Sequence, residues 1–253
     1  MARMILLGVG TGVPDASREN THMVWDGPGG PLLIDAGGST YQRLLRAGLD
    51  PQALRGILLT HSHADHINGL PVLLFSLYLA GRREPLPIYG LEPTLKRAQA
   101  ILSVFDLDGF DSIAEWQTVA AGDTLPLDDA GWILRTALTE HSRPCLALRF
   151  EDTKSGAAVA YSCDTRPCPA VSALVQGARV LIHEATTPGQ SPVHTSPREA
   201  GAVAAAAGAD RLILVHYSPR WTMPETEALA EVRAGGFEGQ AEIGREFQVV
   251  SVA

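Results

Sequence analysis

Short apolar runs alternate with segments of helical period along the first third of the chain. Strands are predicted at Arg3–Leu7 and Pro31–Asp35. The run Gly56–Thr60 is apolar almost throughout, as expected of a strand that is buried on both faces. Helices are predicted at about Thr40–Ala47 and Leu70–Ala80, where apolar positions recur with the period of a helix. This part of the chain is therefore predicted to alternate strands with helices.

The middle of the chain differs, because strand-like runs follow one another there before the alternation resumes. Runs separated by Gly, Asp or Pro predict consecutive strands at Trp116–Val119, Trp132–Leu138, Leu146–Phe150 and Ala157–Ser162. The remaining predicted elements are helices at Pro93–Phe105, Pro169–Gln176, Arg198–Ala207 and Pro224–Ala234, and strands at Val180–His183, Leu212–Val215 and Phe247–Val250. Strands and helices mixed in this way predict sheets covered by helices, which is a layered α/β fold.

Length and composition favour one globular domain. The chain has 253 residues, of which 45% are hydrophobic, and we expect residues 1–253 to form a single domain. No apolar stretch approaches the roughly 18 residues of a membrane-spanning helix, and no signal cleavage site follows the first apolar run. The three cysteines, Cys145, Cys163 and Cys168, form no CxxC pair and favour reduced thiols. We therefore expect a cytoplasmic protein without a membrane partner.

Three of the eight histidines lie within six residues, directly after the predicted buried strand. In this segment, His-Ser-His-Ala-Asp-His at 61–66, residues two apart share a face while the chain is extended, so that His61 and His63 can bind one ion. The chain then turns toward the next helix, and Asp65 and His66 can point to a second ion beside the first. Neutral imidazoles bind zinc, manganese or iron, and so dense a cluster is far more specific than a lone histidine.

Further candidate ligands follow later strands. His141, Asp164 and His216 each lie just beyond the end of a predicted strand. Taken alone, a residue in such a position is more often a cap or a turn residue. Because α/β folds gather their sites beyond strand ends, these residues together with segment 61–66 make a complete ligand set for two metal ions.

Seven segments of the chain, in their order, resemble those of the metallo-β-lactamase superfamily. The resemblance is to the ribonuclease Z-like branch of that superfamily, and within it to compact members of the phosphodiesterase and arylsulfatase type. The resemblance covers nearly the whole chain and rests on Leu6–Pro14, Ile34–Gly37, Leu59–Leu70, Tyr161–Pro167, His183–Thr186, His194–Ser196 and Val215–Ser218. The fold that it implies is a four-layer αββα sandwich. In that fold two β-sheets face each other, the helices lie outside them, and the metals sit at one edge.

The resemblance also implies a role for each candidate residue. His61, His63 and His141 would bind the first metal, Asp65, His66 and His216 the second, and Asp164 would bridge them. Two divalent ions per chain, zinc or alternatively manganese or iron, would hold a bridging hydroxide as the nucleophile. Asp65, Glu184 and His194 would be the catalytic residues, because the last two resemble a family pair that helps to protonate the leaving oxygen.

Several positions have a structural alternative. Asp35 would orient a ligand histidine, or it would be an ordinary carboxylate at a strand end. His194 would be a general acid, or it would only cap the helix that follows it, together with Thr195 and Ser196. His183 lies inside an apolar run and is predicted to be structural, whereas Arg166 would contact a phosphate or form a salt bridge. His22 has no predicted partner.

Three departures from the family's pattern limit the functional prediction. Only 22 residues separate His141 from Asp164, which leaves no room for the long arm by which ribonuclease Z enzymes usually grip tRNA. The segment from Glu184 to His194 is short for the branch, which could shift His194. Cys163 replaces the usual glycine, and it would be mildly strained if this position has a positive φ.

Charge also argues against a large nucleic acid as the substrate. The formal net charge is −8, whereas phosphate contacts need clustered Lys and Arg. We therefore expect a binuclear metal-dependent hydrolase that cleaves small or flexible phosphodiesters, with structured tRNA a less favoured substrate. The alternatives are a tRNA 3′-end endonuclease without the usual arm, an arylsulfatase, and a non-catalytic metal-binding domain. A homodimer is expected because dimers are common in the branch.

Overall fold

The strands form two seven-stranded sheets in the part of the chain that the structure describes. The structure is a computed structural model, and it describes residues 2–105, 109–127, 131–217 and 223–252. The first sheet has the order β14-β1-β2-β3-β4-β5-β6, and its strands are β1 Arg3–Gly8, β2 His22–Gly27, β3 Gly30–Ile34, β4 Gly56–Leu59, β5 Leu86–Gly90, β6 Ala114–Thr118 and β14 Val249–Ser251. The second has the order β13-β12-β11-β10-β9-β8-β7, with β7 Thr124–Pro126, β8 Trp132–Leu138, β9 Leu146–Asp152, β10 Ala158–Tyr161, β11 Val180–Glu184, β12 Arg211–Val215 and β13 Gln240–Ile243.

Helices cover the outer faces of both sheets. They are α1 Thr40–Arg46, α2 Ala64–Ile67, α3 Leu70–Leu79, α4 Glu92–Val104, α5 Pro169–Val175, α6 Pro197–Ala207 and α7 Glu225–Ala234. Short 3₁₀ segments lie at Pro51–Ala53 and Phe110–Ile113. None of the helices in the described ranges combines the length and the apolar character needed to cross a bilayer.

Alternate residues of β1 belong to different parts of the core. Met4 and Leu6 belong to a cluster that contains residues of both sheets and of α5, α6 and α7. Ile5 and Leu7 belong to a second cluster with residues of α1, α3 and α4. Because successive side chains of a strand point to opposite faces, one face of the first sheet packs on the second sheet and the other on helices. The αββα sandwich expected from the sequence is confirmed.

Parallel pairing brings the ends of several strands to one edge of this sandwich. Strands β3 to β6 pair in parallel in the first sheet, and β10 to β13 do so in the second. At this edge the Val9 carbonyl accepts a hydrogen bond from the His216 amide at 2.8 Å, and the Thr60 carbonyl accepts one from the Leu146 amide at 3.1 Å. These bonds join the two sheets where the predicted ligands lie.

Candidate metal centre

The seven predicted metal ligands lie together at the edge where the two sheets are joined. His61 and His63 follow β4, and Asp65 and His66 lie in the short helix α2. His141, Asp164 and His216 come from the loops after β8, β10 and β12. All except His63 and Asp65 are largely or fully buried. The site is therefore built from strand ends of both sheets.

The first donor group consists of His61, His63, His141 and Asp164, whose nearest ligand atoms lie within 4.8 Å of one another. His63 Nδ1 lies 3.0 Å from His61 Nε2 and 3.1 Å from His141 Nε2. Asp164 Oδ2 lies 3.8 Å from each of those two Nε2 atoms. Donors arranged tetrahedrally at about 2.1 Å around one ion are about 3.4 Å apart, so the spacing suits a single cation.

The second donor group consists of Asp65, His66 and His216. Asp65 Oδ2 lies 3.5 Å from His66 Nε2 and 3.4 Å from His216 Nε2. Asp164 reaches this group as well, because its Oδ1 lies 3.8 Å from His66 Nε2 and its Oδ2 lies 3.5 Å from His216 Nε2. The Asp164 carboxylate thus lies between the two groups.

Two buried atoms of the site test whether a metal fits it. His66 Nε2 and Asp164 Oδ1 are fully buried, and within the described residues neither has a hydrogen-bond partner. Buried polar atoms are nearly always satisfied, because an unpaired one loses its hydration without compensation. Both atoms are ligand types for divalent cations and point toward other ligand atoms, so the residues present fit a metal.

A second set of contacts orients the imidazoles. Asp35 Oδ2 lies 2.8 Å from His66 Nδ1, Thr186 Oγ1 lies 2.8 Å from His216 Nδ1, and the Val193 carbonyl oxygen lies 2.9 Å from His141 Nδ1. His63 is reversed, because its Nδ1 faces the site and its Nε2 lies 3.3 Å from Ser142 Oγ. An acceptor on one ring nitrogen keeps the proton there and leaves the other nitrogen free to bind a metal.

Electrostatics of the site follow from burial and crowding. Burial and the neighbouring imidazoles hold the pKa of His61 well below its usual value, so the ring is neutral. Burial also lowers the pKa of His66, but the carboxylates of Asp35 and Asp164 outweigh it and raise that pKa to about 10. Burial raises the pKa of Asp65, yet its hydrogen bond with His216 and the charge of His66 bring it below the ordinary range. The Asp65 carboxylate is therefore ionised, as a metal ligand must be.

His194 and Glu184 form a hydrogen-bonded pair at the rim of the donor groups. His194 Nδ1 lies 2.9 Å from Glu184 Oε1, and burial lowers the pKa of His194, but Glu184 together with the charges of Asp164 and Asp65 outweighs burial and raises that pKa. Glu184 is fully buried and also accepts hydrogen bonds from the Thr165 amide and the Thr186 hydroxyl. The His194 ring centroid lies 5.0 Å from that of His141, so the short segment before it still brings it to the site.

Helix α6 is capped without His194. Its N-cap is Ser196, whose side chain accepts a hydrogen bond from the Glu199 amide, while the Glu199 side chain bonds back to the Ser196 amide. Of the three residues named in the capping alternative, Ser196 therefore forms the cap and His194 does not.

The remaining predicted positions have separate environments. Asp35 contacts a candidate ligand, as described above, and also accepts a hydrogen bond from the Thr60 amide at 2.7 Å. His183 and His22 are buried, with their Nδ1 atoms 2.8 Å from the Glu184 and Asn20 carbonyl oxygens respectively. Arg166 forms an ion pair with Glu140. Cys163 does have a positive φ, of 50°.

Apart from Asp35, the residues that orient the candidate ligands were not predicted from the sequence. Thr60, Ser142 and Thr186 lie next to predicted residues, which is the only local signal they carry. The Val193 carbonyl belongs to a backbone turn that carries no such signal. Ser218, the last residue of the quoted motif segments, lies outside the described residues.

Comparisons with known proteins agree with this geometry. The sequence pattern described as the beta-lactamase superfamily domain matches residues 31–217. A ribonuclease Z of Methanothermobacter thermautotrophicus is 31% identical, over 89% of this chain and 89% of its own. The metallo-beta-lactamase fold protein YhfI from Bacillus subtilis superposes with a TM-score of 0.85 at 22% identity, over 99% of this chain and 100% of that one. A diphosphatase from the PhnP family superposes with a TM-score of 0.78 at 20% identity, over 100% and 98%.

Proposed function

The chain belongs to the metallo-β-lactamase superfamily, in its ribonuclease Z-like branch, and is a metal-dependent hydrolase. From this we propose that it cleaves small or flexible phosphodiesters and that it uses two divalent metal ions to do so. The observation that carries the proposal is the position of Asp164, whose two oxygens lie between two groups of ligand atoms. His61, His63 and His141 would hold one ion, and Asp65, His66 and His216 the other. Zinc is the first choice, because imidazole and carboxylate donors suit it, and manganese and iron are the alternatives.

The protein's own residues prepare this site for an anionic ester. When bound, the metal ions would supply a polarised ester oxygen and a water of lowered pKa, which is the chemistry that ester hydrolysis needs. Asp35, Thr186 and the Val193 carbonyl keep the ligand imidazoles in the tautomer that binds a metal. The buried setting excludes bulk water and strengthens each of these contacts.

His194 is proposed to give a proton to the leaving oxygen. Its Nδ1 is engaged by the buried Glu184 carboxylate, which leaves Nε2 as the atom that would carry the transferred proton. The same carboxylate favours the protonated ring, as a general acid requires. Glu184 would therefore act through His194.

The preference for small substrates is supported by the connection between β9 and β10. Residues 142–163 contain β9, β10 and short turns, in the stretch where the sequence resemblance would place a tRNA-gripping arm. With a formal net charge of −8, the chain as a whole has no excess of Lys and Arg for contacts with a long polyanion. Cyclic nucleotides and other compact phosphodiesters, with arylsulfates as a neighbouring class, are thus favoured over tRNA.

A tRNA 3′-end endonuclease is the second candidate. The relative that is 31% identical over 89% of both chains is named ribonuclease Z, which is the observation in its favour. Both candidates use the same ligands, so the metal site itself does not separate them. Separation requires the substrate.

A side-by-side assay tests the proposal. The metal-loaded protein is offered a cyclic nucleotide, bis-nitrophenyl phosphate, nitrophenyl sulfate and a precursor tRNA, with His61→Ala as the matched inactive control. We expect the first two to turn over fastest and His61→Ala to be inactive on all four. Faster cleavage of the tRNA at its 3′ end would overturn the small-substrate proposal. Binding of fewer than two ions with no turnover would favour a non-catalytic metal-binding domain.

Three further expectations remain proposals about the whole molecule. We propose that residues 1–253 form one domain, that two chains form a homodimer, and that the protein works in the cytoplasm. Light scattering of the metal-loaded protein would measure the mass directly, and a mass of one chain across the micromolar range would contradict the dimer.

A further inference from the structure

The thiol of Cys163 lies directly behind the metal site, on a backbone that a cysteine rarely adopts. Its φ is 50°, in the left-handed region that glycine occupies without cost, and glycine is the usual residue here in the resembling family. The side chain is fully buried. A buried side chain kept in a conformation that disfavours it calls for a compensating contact.

That contact is with the residues that hold His61. Cys163 Sγ donates a hydrogen bond to Thr60 Oγ1 at 3.1 Å and lies 3.9 Å from His61 Nδ1. Thr60 Oγ1 lies 3.2 Å from the same Nδ1 and donates to Asp35 Oδ2 at 2.8 Å. The Cys163 thiol, the Thr60 hydroxyl and the Asp35 carboxylate thus form one buried hydrogen-bonded group behind the candidate ligand His61.

The hydrogen-bonding capacity of the Thr60 hydroxyl explains why the thiol matters. A hydroxyl has one proton to donate and two lone pairs that accept. The Thr60 proton goes to Asp35, so its lone pairs can take the Cys163 S–H and an N–H from His61 Nδ1. When the Thr60 hydroxyl donates its proton and both of its lone pairs accept, the His61 proton is fixed on Nδ1. The His61 Nε2 is then left free to bind the metal.

We propose that Cys163 is a positioning residue for the metal ligand His61, acting through the Thr60 hydroxyl. The inference rests on the proposed assignment of His61 as a ligand. Among the buried candidate histidine ligands, His61 has the longest contact between its Nδ1 and an oxygen, at 3.2 Å to Thr60 Oγ1. The corresponding contacts of His66, His141 and His216 are 2.8–2.9 Å. The thiol compensates by fixing the orientation of the hydroxyl that His61 does contact.

Packing alone would predict a different response to substitution. If Cys163 only filled space, Cys163→Gly would relieve the backbone strain and behave better than Cys163→Ala, which keeps the strain. If it positions His61, both variants lose the S–H and weaken metal binding alike. Cys163→Ser keeps a donor at this place and should rescue most of the affinity.

The experiment measures Co²⁺ binding and the visible spectrum of the bound cobalt, with the melting temperature of the metal-free protein as a separate readout. We expect about 10-fold weaker Co²⁺ binding and a shifted spectrum in both Cys163→Ala and Cys163→Gly, with Cys163→Ser within about 3-fold of wild type. Cys168→Ala is the matched control, since its buried thiol lies 3.7 Å from Thr165 Oγ1 and it should bind Co²⁺ as wild type does.

Each other outcome counts against the inference. Wild-type affinity and spectrum in Cys163→Ala would overturn it, as would recovery of affinity in Cys163→Gly alone, which would show a strain effect. If Cys163→Ala does not fold, Cys163→Gly and Cys163→Ser still decide the question. If His61→Ala binds Co²⁺ as tightly as the wild type does, the proposed assignment of His61 as a ligand is refuted instead. This result distinguishes a failure of the ligand assignment from a failure of the inference about Cys163.

Discussion

Replacing Asp164 by asparagine tests the proposed bridge between the metal ions. The side chain is almost completely buried, with Oδ2 3.5–3.8 Å from nitrogens of His61, His141 and His216 and Oδ1 3.8 Å from His66 Nε2. Asparagine keeps the shape but removes the charge, and it replaces one oxygen by an NH₂ group that cannot bind a cation. We expect Asp164→Asn to lose one of the two ions and to bind the other more weakly.

The size of the effect can be worked out as a change in thermal stability. A metal at a concentration of about 1,000 times its Kd stabilises the folded chain by about 4 kcal/mol. If the variant binds about 100-fold more weakly, the same concentration is about 10 times its Kd and contributes about 1.4 kcal/mol. Since 1 kcal/mol shifts the Tm of a chain of this size by about 2–4 °C, the retained ion's share of the rise in Tm should fall from about 12 °C to about 4 °C, and the share of the lost ion should disappear.

Calorimetry with and without Zn²⁺, together with metal analysis after dialysis, measures both quantities. Asp210→Asn is the matched control, because this carboxylate is 68% exposed, pairs with Arg179 and precedes β12, whereas the candidate ligand His216 follows that strand at its other end. The metal-free Tm of each protein provides its own reference. Two ions per chain and an undiminished rise in Tm in Asp164→Asn would refute the bridging role.

The other predictions concern the acid, the ligand orientation and the supporting backbone. His194→Ala should keep both metals but lower kcat about 100-fold on alkyl phosphodiesters and far less on nitrophenyl esters; equal losses would argue against a general acid. Asp35→Asn should weaken metal binding about 10- to 100-fold by titration, because it loses the charge that orients His66. Gly37→Ala should disturb the 61–66 segment and reduce metal content, since its Cβ would lie 2.1 Å from the Asp65 carbonyl oxygen. Ser196→Ala should cost about 1 kcal/mol by calorimetry, without changing metal content, because it removes the α6 cap.

Much of the fold was predictable because its central strands and helices carry strong periodic patterns. Strands β4 and β12 are continuous apolar runs buried in the sheets, and the predicted helices are all present within a residue or two. Strand β5 was missed because Pro87 lies within it, and a proline normally argues against a strand. Strand β2 follows a polar loop and begins with His22, so the pattern alone did not mark it. The edge strands β7 and β13 were missed as well, because strands of only 3 and 4 residues are too short to show a clear pattern.

The candidate ligands and Asp35 were also visible in the sequence, but the other groups that orient the ligands were not. Histidines are rare enough that three within six residues stand out, and strand ends predict where His141, Asp164 and His216 meet. The hydrogen bond between Thr186 and His216 spans 30 residues and that between His141 and Val193 spans 52. Such pairs depend on how the loops after strands of the second sheet come together, and no local spacing encodes that.

Three residues at or beside the candidate metal site have a backbone conformation that non-glycine residues rarely adopt. Asp35 and His216 follow β3 and β12 directly with φ of 61° and 55°, and Cys163 follows β10 with φ of 50°. Each such conformation costs about 1–2 kcal/mol, so the surrounding fold must hold it in place. Hydrogen bonds from the Asp35 amide to Leu58 and from the His216 amide to Val9, both 2.8 Å, tie these residues to neighbouring strands. These hydrogen bonds therefore help to compensate the strain, and the ends of strands fix the backbone from which the candidate ligand His216 and the supporting Asp35 extend.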